Sequence, residues 1–258
     1  MNSKNSRRCI GIAILLLLSS WMHAQIVNIE KKRIADDSTG WFGTANVNFS
    51  GSRSTKSYLA FNTSTLLEYK AKANKDLWLF LTDLSVISAE QQKFSNTGFG
   101  HLRYNHKFGK AIRWEIFTQL QYNALTKIKQ RAILGSGPRF KLTQLDNAHF
   151  YLGIAYMYEY EEDVDTHIFH RDHRMSSYFT FTLIPDSAVS FTSTTYGQPL
   201  LADWRDFRIS NETSLSLEIT KKLILNSTFK YAFDSRPPDG VPNNIYSFSN
   251  GLELTFGR

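Results

Sequence analysis

Past residue 24 this chain of 258 residues has no cysteine, since the single one is Cys9. Disulfides and cysteine-ligated metals are thereby excluded from everything that follows residue 24. Long apolar runs are missing too. The longest after that point, Leu77-Trp78-Leu79-Phe80-Leu81, is far short of the roughly 20 residues a membrane helix needs, so a helical membrane protein is excluded. No basic cluster stands out, so no nucleic-acid partner is expected. There is no Gly-x-Ser-x-Gly elbow of a serine hydrolase.

What the chain does have begins with a three-part export signal. Lys4, Arg7 and Arg8 precede an apolar core from Ile10 to Leu18, and Met22-His23-Ala24 places a small residue before Gln25. This is the layout of a cleavable secretory signal over residues 1–24, with Cys9 wrongly placed for a lipoprotein. Removing it takes the formal net charge from +7 to +4, because Lys4, Arg7 and Arg8 leave with it. Residues 25–40 are expected to be a periplasmic segment and residues 41–258 one β domain.

Within that domain apolar and polar residues alternate with a period of two, the mark of a strand with one greasy face and one wet face. Strand cores fall at 41–50, 56–70, 75–87, 96–108, 111–124, 128–142, 147–161, 173–184, 188–197, 206–220, 222–234 and 245–257. In 111–124, Ile112, Trp114, Ile116, Leu120 and Tyr122 oppose Arg113, Glu115, Gln119, Gln121 and Asn123. In 75–87 either face is greasy enough to meet lipid. Pro138, beside Gly135 and Gly137, suggests a bulge and a local bend. Many strands run well beyond the usual 5–6 residues of globular sheets and can cross a bilayer at a tilt. Length therefore favours a transmembrane barrel over a soluble β-sandwich or a periplasmic lipid-binding barrel, whose polar face would point outward.

Short links (Ala71 to Asn74, Gly109-Lys110, Pro185 to Ala188) alternate with longer ones at 88–95, 162–172, 198–205 and 235–244. The stretches 51–55 and 125–127 are brief for outer loops. The alternation fits periplasmic turns and outer loops of an antiparallel up-and-down barrel with both termini on the periplasmic side. On that topology the aromatics form two belts. Trp41, Tyr69, Trp114, Phe140, Phe150 and Phe256 lie at the inner interface. Phe49, Tyr122, Tyr158, Tyr160, Tyr231, Phe233, Tyr246 and Phe248 lie at the outer one.

Two segments resemble a known family. Arg131 to Phe140 (Arg-Ala-Ile-Leu-Gly-Ser-Gly-Pro-Arg-Phe) and Tyr231 to Pro242, followed by a last strand ending in Leu254-Thr255-Phe256, look like the domain-of-unknown-function 481 family of outer-membrane barrels, some described as salt-induced. The resemblance implies a fold and a membrane over residues 41–258 and carries no catalytic residue. Gly257 and Arg258 follow Phe256, whereas outer-membrane chains commonly end on an aromatic that the barrel-insertion machinery reads.

The polar faces hold many long charges. Arg103, Arg113, Glu115, Arg131, Arg139, Glu159, Glu212 and Lys230 are expected to form a neutralising lumen network, because an unpaired buried charge is costly. Asp163, Asp165, His167, His170, Asp172 and His173 form a loop cluster with metal-binding chemistry, which reads more simply as a solvated outer loop. Arg171, Arg174 and Arg205 could meet the anionic sugar layer of lipopolysaccharide. His101 and His149 lie on the polar face and read as structural. No cofactor is implied. The sequence points to a non-enzymatic outer-membrane barrel with a structural or envelope-stress role, in contact with outer-membrane lipid. A narrow passive channel is the first alternative and a lipid-modifying enzyme the second.

Overall fold

A computed structural model describes residues 39–254, apart from 54–56, 72–74, 90–91, 144, 165–167 and 221–222. The signal segment, residues 25–38 and Phe256 with the two residues after it lie outside the described residues. The chain is all-β. The twelve strands among the described residues are β1 (Gly40–Arg53), β2 (Ser57–Lys70), β3 (Asp76–Ala89), β4 (Gln92–Lys107), β5 (Ile112–Asn123), β6 (Ile128–Lys141), β7 (Ala148–Asp163), β8 (Phe169–Asp186), β9 (Val189–Pro199), β10 (Phe207–Thr220), β11 (Leu223–Asp234) and β12 (Asn244–Leu254). They form one sheet in sequence order, each antiparallel to the next.

The alternation of the sequence becomes an inside-out pattern of burial. Glu68, His101, Arg103, Glu115, Glu159 and Arg174 are buried, while Trp78, Trp114, Leu120, Leu134, Ile154 and Tyr156 are exposed. A water-soluble sheet would reverse this, since charged residues are almost never fully buried unless paired. Here the wet face is the concave one. β3 resolves its own ambiguity in the same sense. Leu77, Leu79, Leu81 and Ile87 turn inward and Trp78, Phe80, Leu84 and Val86 outward. Leu79 and Leu81 pack with Leu66 and Phe99 as an apolar cluster on the concave wall of β2–β4.

The sheet curls enough for strands that are not neighbours to touch. The Tyr178 hydroxyl of β8 donates to Glu115 of β5 at 2.8 Å, and Arg208 of β10 donates to Glu159 of β7 at 2.5 Å. Among the described residues β1 and β12 share no ladder, so the seam of the barrel is open. The outward residues beside the seam are accordingly the most exposed, with Phe49 at 69% and Leu252 at 67% against 42% for Trp114 in mid-sheet.

Two expectations are corrected. Pro138 makes no bulge. The β5–β6 register is unbroken from Ile112↔Phe140 to Gln121↔Arg131, and its shift lies between Gln121 and Asn123. On the other edge, β6–β7 pairing skips Gly137 and Pro138 between Ser136↔Tyr156 and Arg139↔Gly153 without losing register. Proline lacks the N–H of the ladder, so the defect is a missing bond and not an extra residue. The glycines answer to space. A Cβ on Gly137 would lie 2.1 Å from the Ile154 carbonyl oxygen, and one on Gly135 would lie 2.2 Å from the Phe117 ring. The outer loops are also shorter than expected. β3 and β4 extend to Ala89 and Gln92, and β7 and β8 pair as far as Glu162↔Phe169.

Candidate functional site

The concave face carries the polar chemistry, and its densest part lies toward the end bearing the 200–206 and 235–243 loops. Glu159, fully buried, accepts from Arg131 through Nε at 2.8 Å and through Nη2, and from Arg208 Nη1 at 2.5 Å. The Arg174 guanidinium lies 3.5 Å from the same carboxylate. Each arginine also reaches further anions. Arg174 holds Asp206 and Asp172, both at 2.9 Å. Arg208 holds Asp234 at 2.7 Å and Glu161 at 3.1 Å, and Arg131 approaches Glu161 at 3.3 Å. Alternation along β6, β7, β8, β10 and β11 delivers these groups to one side, and curvature brings them together. Multiple bonds per guanidinium suit arginine's planar fork.

Deeper in the lumen Arg103 donates to Glu115 at 3.3 Å and lies over the rings of Phe117 and Tyr178 at 5.4 and 6.0 Å. Arg139 covers Tyr151 at 4.0 Å. Glu212 and Lys230 approach to 3.6 Å on the β10–β11 wall. Arg113 shares the inward face of β5 with Glu115 and is half-buried. The eight anticipated network residues thus occupy separate clusters. Arg131 and Glu159 meet in one, Arg103 and Glu115 in another, and Glu212 and Lys230 in a third.

Sequence reasoning left Arg174, Arg208, Glu161, Asp172, Asp206, Asp234 and Tyr178 out of that network. Parity within 173–184 already sets Arg174, Ser176, Tyr178 and Thr180 on one face, and all four are buried; the earlier start of β8, at Phe169, adds Asp172 to that face. Arg174 is 2% exposed, so it is no surface arginine for an anionic sugar layer. The loop cluster comes apart for the same reason. Asp172 turns inward to Arg174 at 2.9 Å, while His173 turns outward to bond the Tyr156 hydroxyl. Asp163 and His170 face each other at 3.7 Å, and Asp165 and His167 lie outside the described residues. Among the described residues no group of three His, Cys, Asp or Glu side chains could hold a metal ion. His101 is buried between Phe99 and Phe117, ring centroids 6.1 and 5.9 Å away, with Gln119 Oε1 at 3.4 Å. His149 lies on the inward face at the start of β7.

Between the two central clusters lies a cavity of about 210 Å³. Its walls include His101, Phe117, Gln119, Gln121, Tyr178 and Gln198, and the loop after β11 contributes Pro237, Pro238, Val241 and Pro242. That loop crosses the mouth. Gly240 sits at φ +81°, a left-handed backbone conformation that favours glycine, and faces Lys127 of the β5–β6 turn. Arg236 ties the loop to Asp203 at 2.6 Å. The backbone N–H of Arg205, and after it Arg236, hold the Asp203 carboxyl below the usual carboxylate range.

A curled antiparallel up-and-down sheet with charges inside and aromatics outside defines the class: an all-β barrel of the membrane-spanning kind. Over residues 43–256 the chain matches the family described as "Protein of unknown function, DUF481", and it belongs to that family. Solved structures with a similar course include one described as the NanC porin in a rhombohedral crystal form and one described as the KdgM porin. The first is 14% identical, covers 83% of this chain and 99% of its own, and has a TM-score of 0.48. The second is 11% identical, covers 84% and 99%, and has a TM-score of 0.41. No curated protein gives a match.

Proposed function

We propose that this protein is an integral outer-membrane barrel, exported through a cleavable signal over residues 1–24. In this reading it is non-enzymatic and has a structural or envelope-stress role. The observation that carries the membrane reading is the inside-out burial. Leu134 is 59% exposed and Glu159 not at all, an arrangement stable only where the outside is hydrocarbon. The partners are outer-membrane lipid, lipopolysaccharide at the outer rim and the barrel-insertion machinery during assembly. A filled lumen fits best, because Leu79 and Leu81 face inward yet have no solvent-accessible surface. The arginine–carboxylate network adds a second constriction near the mouth.

A narrow passive channel is the second reading, favoured by the cavity under the 235–243 loop. Conductance across a planar bilayer tests the choice. The filled barrel predicts no stable open level in the unaltered protein. A stable level without any substitution would establish the channel. Heat-modified gel migration tests the seam: faster migration before boiling is expected of a closed barrel.

A further inference from the structure

We propose that the cavity beneath the 235–243 loop is a binding site for a neutral, hydroxyl-rich solute the size of one sugar ring. The inference holds whether or not the lumen conducts.

Size is the first argument. At about 210 Å³ the space falls below the roughly 300–1,000 Å³ of sites for drug-sized ligands. It suits a single small ring.

Charge is the second. Three cations line the cavity, Arg103, Arg131 and Arg208. Each is ion-paired: Arg103 with Glu115 at 3.3 Å, Arg131 with Glu159 through Nε at 2.8 Å, and Arg208 with Asp234 at 2.7 Å. An ionic ligand would have to break one of these pairs and strand a charge in a buried place. A neutral ligand leaves them intact.

The third argument is the remaining chemistry of the wall. Gln119, Gln121 and Asn123 succeed each other on the inward face of β5. Gln119 Nε2 donates to Gln121 Oε1 at 2.8 Å, which leaves the two N–H donors of Gln121 directed elsewhere. Asn123 Oδ1 is taken by the backbone N–H groups of Leu125 at 2.9 Å and Thr126 at 3.3 Å, which leaves its amide N–H groups to donate. Gln198 approaches Ser176 at 3.4 Å on the opposite wall. Such amides match hydroxyls, which both donate and accept. Phe117 and Tyr178 add apolar carbon to the same wall.

The test uses the full chain purified in detergent. It is titrated calorimetrically with glucose, galactose, mannose and N-acetylglucosamine, and with glucuronate and glucosamine as charged rings of the same size. Saturable binding of at least one neutral sugar is expected, with both charged sugars about tenfold weaker or more. Gln121→Leu should weaken the neutral sugar by up to about tenfold, as for one lost hydrogen bond. Gln198→Ala should do the same from the other wall, and Lys110→Ala in the β4–β5 turn should change nothing. Unboiled gel migration of each variant checks folding. The proposal is overturned if no neutral sugar binds, if glucuronate or glucosamine binds as tightly, or if both folded variants bind like the parent.

Discussion

Glu159 is the residue on which the interior turns. Three arginines from three other strands converge on it, and it has no exposed surface. Substitution to Gln keeps the shape and removes the charge. Breaking such a buried arrangement from one side typically costs about 3–5 kcal/mol, so Glu159→Gln should lower the thermal midpoint clearly. Lys110→Ala should leave it unchanged in the same calorimetric scan. Glycine 153 makes a steric prediction. A Cβ there would meet the Tyr178 ring at 2.0 Å, and that ring is fixed by its bond to Glu115. Gly153→Ala should destabilise by about 1–3 kcal/mol, as overpacking does. A second substitution, Tyr178→Leu, should return part of the loss, read from the same midpoint. The sequence placed Glu159 in an inward charge network but did not show its full set of partners, nor the close approach at Gly153. Alternation showed that Glu159 faces inward, but its arginines lie 28 and 49 residues away for Arg131 and Arg208, and only curvature joins them.

At the scale of elements the twelve strands were legible because a period of two sustained over so many residues has no helical reading. Interior register needed no more than parity. The ends of strands were harder. Phe169 to Asp172 reads as loop because polar and charged residues follow Phe169 without apolar alternation, yet the segment pairs with β7 from Glu159↔Asp172 to Glu162↔Phe169. The outward face of β6 makes a membrane prediction. Leu134→Arg should disfavour insertion by about 2–4 kcal/mol if it lies at mid-bilayer, seen as a smaller folded fraction in vesicles by gel shift. The clip between the 200–206 and 235–243 loops carries a pH dependence. The Asp203 carboxyl is held below its usual range, so the clip's contribution is fully present above the unfolded value, about 3.9. It is lost as pH falls through the lower folded value. Hydrogen exchange in 235–243, corrected for intrinsic rate, should therefore rise below that range. Asp203→Asn should show the faster exchange at neutral pH already. Equal exchange in parent and variant at neutral pH would mean that the clip does not hold the loop.

For the whole molecule the central claim is that the greasy face is outside. Pattern alone left a soluble reading open, since charges turned outward also suit water. Burial decides it: a buried network of arginines and carboxylates is enclosed by a surface of Trp, Tyr, Phe and Leu. The most direct measurement is fluorescence quenching by lipids brominated along their acyl chains. The variant used keeps Trp114 and replaces Trp41, Trp78 and Trp204 with Phe. Trp114 projects from the convex face of β5, donating to Ser136 at 2.8 Å. Strong quenching of Trp114 in brominated vesicles, against unbrominated ones, is the result predicted here. Emission unaffected by bromine would put the aromatic face away from lipid and contradict the account.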